Sequence, residues 1–124
     1  MIKVLLVEDD PEQIFLYDKV FSVRGLFVMA ATTTAEALTM AASDGPDIIL
    51  LDIMLRHENG LDIMETLKQR EATKNIPVVV FTNTNKKEFR ERAEKLGAAD
   101  FIIKSQTIPQ EMAERIKKML GRTE

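Results

Sequence analysis

The sequence predicts a doubly wound α/β domain, a parallel sheet of five strands with helices on both faces. Two observations predict it. Short apolar runs recur five times along the 124 residues, and stretches with helically spaced apolar residues separate them. Runs that are apolar at every position suit strands buried on both sides, which is what crossover helices do to a parallel sheet. Short connections between the elements then require right-handed crossovers, with the helices shared between the faces.

The elements follow in order. The first strand is predicted at Ile2–Val7, with Asp10 as cap and Pro11 as first residue of a helix whose inner face is Ile14, Tyr17 and Phe21. The second strand is Leu26–Ala30; its helix has Thr34 as cap and Ala35, Leu38 and Ala42 as its stripe. The third strand, Ile48–Leu51, precedes a helix marked by Leu61, Met64 and Leu67. The fourth, Val78–Phe81, leads to a helix opened by Asn85 and Glu88 and closed at Gly97. The fifth, Phe101–Ile103, is followed by Pro109 and the stripe Ile108, Met112, Ile116, Met119, with Gly121 past the end.

Composition removes several function classes. Without cysteine there is no disulfide framework, thiolate nucleophile or Cys-ligated zinc, and a single histidine, His57, cannot build a two-His metal site. The longest apolar run, Leu26–Ala31, falls far short of the ~20 residues of a membrane span. No charged-then-apolar leader precedes Ile2. Seventeen Lys and Arg against twenty Asp and Glu give a net charge of −3, which opposes direct nucleic-acid binding. A cytoplasmic chain with no membrane insertion is expected.

In doubly wound sheets the ligand site lies beyond the carboxyl ends of the strands. Those ends carry Glu8-Asp9-Asp10, Ala31-Thr32, Asp52, Thr82 and Lys104. Each has an ordinary explanation alone: helix cap, loop aspartate, β-former, solvated lysine. Together they form a set. Clustered carboxylates need a cation, and oxygen-only ligands select a hard one, Mg²⁺ or Mn²⁺. An ionised Asp can attack phosphorus. The transferred phosphoryl oxygens then need a metal, a lysine and a hydroxyl aimed at them.

Val7-Glu8-Asp9-Asp10, Leu51-Asp52-Ile53-Met54-Leu55 followed by Gly60, Val80-Phe81-Thr82, and Gly97-Ala98-Ala99-Asp100-Phe101 leading to Lys104 together resemble the receiver domain of two-component response regulators, over essentially the whole chain. The resemblance implies a flavodoxin-like sheet in the order 2-1-3-4-5 with five helices. It makes Asp52 the phosphoacceptor, Asp9 a direct Mg²⁺ ligand, Glu8 a ligand through water, and the Met54 carbonyl the last protein donor. Thr82 would bond a phosphoryl oxygen and Lys104 pair with it. Phe101 would be the switch aromatic, moving inward as Thr82 is drawn to the phosphorylated Asp52 and so changing the surface of helix four, strand five and helix five.

Three positions depart from that pattern. Ser105 follows Lys104 where the family usually has a cis proline. A non-proline cis bond costs about 2.5–4 kcal/mol, so a trans Lys104–Ser105 peptide is expected. Arg56 replaces another usual proline, which predicts a less restrained loop. Asn83 replaces a small residue and is expected to narrow access to Asp52.

The implied function is a stand-alone receiver, residues 1–121 with a short tail at 122–124 and no output domain. It would take a phosphoryl group from a histidine kinase or histidine phosphotransfer protein and present a changed surface to a downstream protein. It would not be an enzyme beyond self-catalysed transfer and autodephosphorylation. A phosphorylation-independent interaction module with the same fold is the alternative. An Asp-nucleophile phosphohydrolase is disfavoured because Met54 stands where such enzymes place a second acid. A flavin carrier is disfavoured because no Ser/Thr/Gly-rich loop follows the first strand. His57 reads as a solvated loop residue, and the mixed charges from Lys86 to Lys95 as a solvated helix face. The seven methionines read as core filling.

Overall fold

A computed structural model describes residues 1–122. Its elements are β1 (Ile2–Val7), α1 (Pro11–Ser22), β2 (Leu26–Ala31), α2 (Thr34–Ser43), β3 (Ile48–Leu51), α3 (Gly60–Gln69), β4 (Val78–Thr82), α4 (Lys87–Lys95), β5 (Asp100–Ile103) and α5 (Pro109–Met119), with a 3₁₀ turn at Lys104–Gln106. The sheet is parallel, in the order β2-β1-β3-β4-β5. The expected fold class and strand order are therefore present. No helix among the described residues is long and apolar enough to cross a membrane. The expected tail lies, from residue 123 on, outside the described residues.

Alternation along the strands divides the core into two layers. Leu5, Val7, Ile49, Leu51, Val78 and Val80 face α2, α3 and α4, meeting Ala37, Ala41, Leu61, Met64, Leu67 and Ala93. Ile2, Val4, Leu6, Ile48, Leu50, Val79 and Phe81 face α1 and α5, meeting Tyr17, Phe21, Met112, Ala113 and Ile116. Tyr17 stacks edge-on against Phe21 and Phe81, with ring centroids 5.6 and 5.2 Å apart. Burial raises the Tyr17 phenol above its ordinary pKa.

Two expectations need correction. The cap of α2 is Thr33, one residue earlier than expected; its hydroxyl accepts from the Glu36 N–H at 3.1 Å, while the Glu36 carboxylate reaches back to the Thr32 N–H at 2.8 Å. The Thr32 N–H and hydroxyl, both donating to that carboxylate, hold the Glu36 carboxyl below its ordinary pKa. Asn85 does not cap α4. The cap position is Lys86, which offers no acceptor, and the Asn85 Oδ1 instead accepts from Arg90 at 3.2 Å. The glycine stop after α4 holds: Gly97 has φ 88°, its N–H donates to the Glu94 carbonyl, and the Ala98 N–H donates to the Ala93 carbonyl, both at 3.0 Å.

Candidate functional site

The ladder carries the chemistry-bearing residues to one edge. The Glu8 N–H donates to the Ala31 carbonyl at 3.0 Å and the Asp52 N–H to the Val7 carbonyl at 3.1 Å, each one rung past its strand. Thr82 is the last residue of β4 and pairs with Ile103, so Lys104 leaves β5 beside it. A cleft of about 310 Å³ at this edge is lined by Glu8, Asp9, Asp52, Met54, Asn83 and Lys104, with Asp10, Gln13 and Arg56.

Asp52 is the hub. Its Oδ1 accepts from the Thr82 hydroxyl at 2.7 Å and from the Met54 N–H at 3.0 Å; its Oδ2 faces the Lys104 ammonium at 2.9 Å. Lys104 also donates to Glu8 Oε1, and its ammonium lies 5.7 Å from the centre of the Phe81 ring. The second Glu8 oxygen accepts from the N–H groups of Asp9 and Asp10, at 3.0 and 3.4 Å. Glu8, Asp52 and Thr82 are buried. Burial pushes the Glu8 carboxyl above its ordinary range, with the Asp52 charge adding to that and Lys104 opposing it. Burial alone would lower the Lys104 pKa, but Asp52 and Glu8 more than reverse it and hold the ammonium above the usual lysine value.

Five of the expected residues thus converge: Glu8, Asp52, Met54, Thr82 and Lys104. Asp9 stands to one side, its Oδ2 accepting from the Arg56 N–H at 2.7 Å. Among the described residues no three acids sit at spacings that would already hold a metal. The donor set is nevertheless one a hard divalent cation fits. It is all oxygen, and two of its carboxylates already converge on a positive charge, the Lys104 ammonium. Phe101 is half-buried on the α4 side, with the Arg90 guanidinium stacked over its ring at 4.7 Å.

The structure assigns reasons to residues whose part the sequence left open. Gly60 opens α3 against the backbone of Asp52, where a Cβ would fall 2.1 Å from the Asp52 carbonyl oxygen. Glu58, unremarked in the sequence, ties the loop after Asp52 to the start of α2 by accepting from the N–H of Thr34 at 2.9 Å and from its hydroxyl. The Lys104–Ser105 peptide is trans, as expected. The expectation of a looser loop at Arg56 is corrected: its backbone N–H, a group proline lacks, fastens the loop to Asp9.

Comparison with known proteins adds an independent finding. Residues 4–117 match the response regulator receiver domain. The polar-differentiation response regulator DivK of Brucella ovis is 32% identical over 118 residues, 95% of either chain. The transcriptional regulatory protein CpxR of Klebsiella pneumoniae is 33% identical over 123 residues, 99% of this chain but 51% of CpxR. Among solved structures, the non-phosphorylated HemR receiver domain of Leptospira biflexa superposes with a TM-score of 0.86 at 28% identity, covering 100% of this chain and 98% of that one.

Proposed function

The chain belongs to the response regulator receiver domain family of two-component signalling, and from that premise we propose that it is a phosphorylation switch centred on Asp52. The observation that carries the reading is the convergence on one carboxylate of a hydroxyl from β4 and an ammonium from the end of β5.

An Asp52 oxygen attacks the phosphorus of a phosphohistidine on a histidine kinase or phosphotransfer protein. The P–N bond breaks, its electron pair leaves with the imidazole, and an acyl phosphate forms on Asp52. Lys104 and Thr82 are within reach to follow the charge onto the new phosphoryl oxygens. Glu8, Asp9, Asp52 and the Met54 carbonyl would hold Mg²⁺ or Mn²⁺, which supplies compensation for the negative charge gathered there. Water later hydrolyses the acyl phosphate and restores the carboxylate, so the protein is a switch and not a turnover enzyme. When Thr82 leaves the unmodified carboxylate for the phosphoryl group, Phe101 moves inward and the surface of α4, β5 and α5 changes for a downstream protein. The switch is residues 1–121, acting in the cytoplasm.

Incubation with acetyl phosphate and Mg²⁺ tests this. The expected outcome is an acid-stable, base-labile adduct on the wild type and none on Asp52→Asn. Absence of an adduct with every donor would replace the switch with a phosphorylation-independent interaction module. Turnover of phosphomonoesters would replace it with a hydrolase.

A further inference from the structure

Asn83 and Ser105, two of the departures from the family pattern, meet. The Ser105 N–H donates to the Asn83 Oδ1 at 3.0 Å. The last backbone pair between β4 and β5 is Thr82 with Ile103, so this bond adds one more rung to the ladder, with a side-chain carbonyl in place of a main-chain one. It spans the two residues that directly follow Thr82 and Lys104. A proline at 105 has no N–H to give, and a small residue at 83 has no acceptor to reach it, so the two departures are complementary. Asn83 also lines the cleft over Asp52 and Lys104.

We propose that Asn83 is a positioning residue: with the Ser105 N–H it forms a clasp that holds the Lys104 turn in register with Thr82. The catalytic consequence rests on the phosphorylation reading of Asp52; the clasp itself does not. Lys104 reaches Asp52 from a short 3₁₀ turn after β5, and a turn free at its far side would let the ammonium wander from the carboxylate.

Three single variants and one double, each in the full chain, test the clasp. Asn83→Leu keeps the size and removes the acceptor. Ser105→Pro removes the donor, and Ser105→Ala keeps it. With acetyl phosphate and Mg²⁺, the first two are expected to lower the maximal rate of adduct formation about three- to tenfold, with the half-saturating donor concentration unchanged. Ser105→Ala is expected to match the wild type. The double variant Asn83→Leu with Ser105→Pro is expected to be no slower than its slower parent. Independently of any donor, hydrogen exchange at the Ser105 amide, followed by NMR, is expected to quicken at least about tenfold in Asn83→Leu.

Additive loss in the double variant, loss in Ser105→Ala, or a faster reaction in Asn83→Leu would overturn positioning, the last by making Asn83 a steric gate. Unchanged exchange in Asn83→Leu would overturn the clasp outright. If the wild type takes no phosphoryl group, the switch reading and the catalytic role fall together, and the exchange measurement still decides whether the clasp exists.

Discussion

The first three helices each begin on a side chain that accepts from the helix's own first turn: Asp10 for α1, Thr33 for α2, Asn59 for α3. The last two begin on Lys86 and Ile108, whose side chains accept nothing. Between α3 and α4 packing differs in the same sense. α3 buries Gly60, Leu61, Ile63, Met64 and Leu67, whereas α4 buries only Ala93 and leaves its own Phe89, and Leu96 and Phe101 that follow it, partly open. The proposed phosphoacceptor and the acids therefore stand on the half fastened by caps, and the residues expected to move stand on the half without them. A cap is worth about 1 kcal/mol, so the contrast is large enough to set where a local charge event is relieved.

The largest effect should come from forcing the fastened half. Gly60→Ala drives a Cβ into the Asp52 carbonyl and is expected to cost about 1–3 kcal/mol in denaturant unfolding. A variant of wild-type stability would mean that the contact yields easily and the contrast is weaker than drawn.

A smaller effect is expected at the joint between the halves. The Glu8 pKa is raised, so the stability that its neutral form provides is present below the unfolded value of 4.5 and lost as pH rises through the folded one. Glu8→Gln is thus expected to be more stable than wild type at neutral pH, by less than the loss at Gly60, and to lose that advantage below about pH 4.5. Unfolding curves across pH check it; a variant less stable at neutral pH would show that the Lys104 pairing outweighs burial.

The finest test swaps the contrast. Thr33→Ala is expected to destabilise by about 1 kcal/mol, and Lys86→Asp, which gives α4 the acceptor it lacks, to stabilise by about 0.5–1 kcal/mol. Equal and opposite shifts would sharpen the comparison, and no gain from Lys86→Asp would break it.

Strand positions and the strand-end residues were legible because apolar runs and their polar ends are local patterns. All five strands agree with the expected runs to within one residue at either end, β2 gaining Ala31, β4 Thr82 and β5 Asp100. The edge position of β2 follows from the family's strand order and not from the run Leu26–Ala31, which does not say which neighbour is missing; pairing is a long-range fact. The α4 cap failed because Asn85 had a competing partner one turn on, in Arg90. In the site, residue types were legible and their bonds were not. The loss of proline reads as a less restrained loop at 56 and as a trans peptide at 105, yet each regained N–H is used, one by Asp9 and one by Asn83. Glu58 gave no signal, since its partner Thr34 lies 24 residues away.

The seat of Gly60 on the Asp52 carbonyl has a mechanical meaning. A helix resting on the backbone of the residue that receives the load is an abutment, with no slack for recoil in its direction. On the phosphorylation reading, displacement at Asp52 would be sent the other way, along Thr82 into the β4–α4 loop. One missing methyl group would then give the sheet edge a direction of travel.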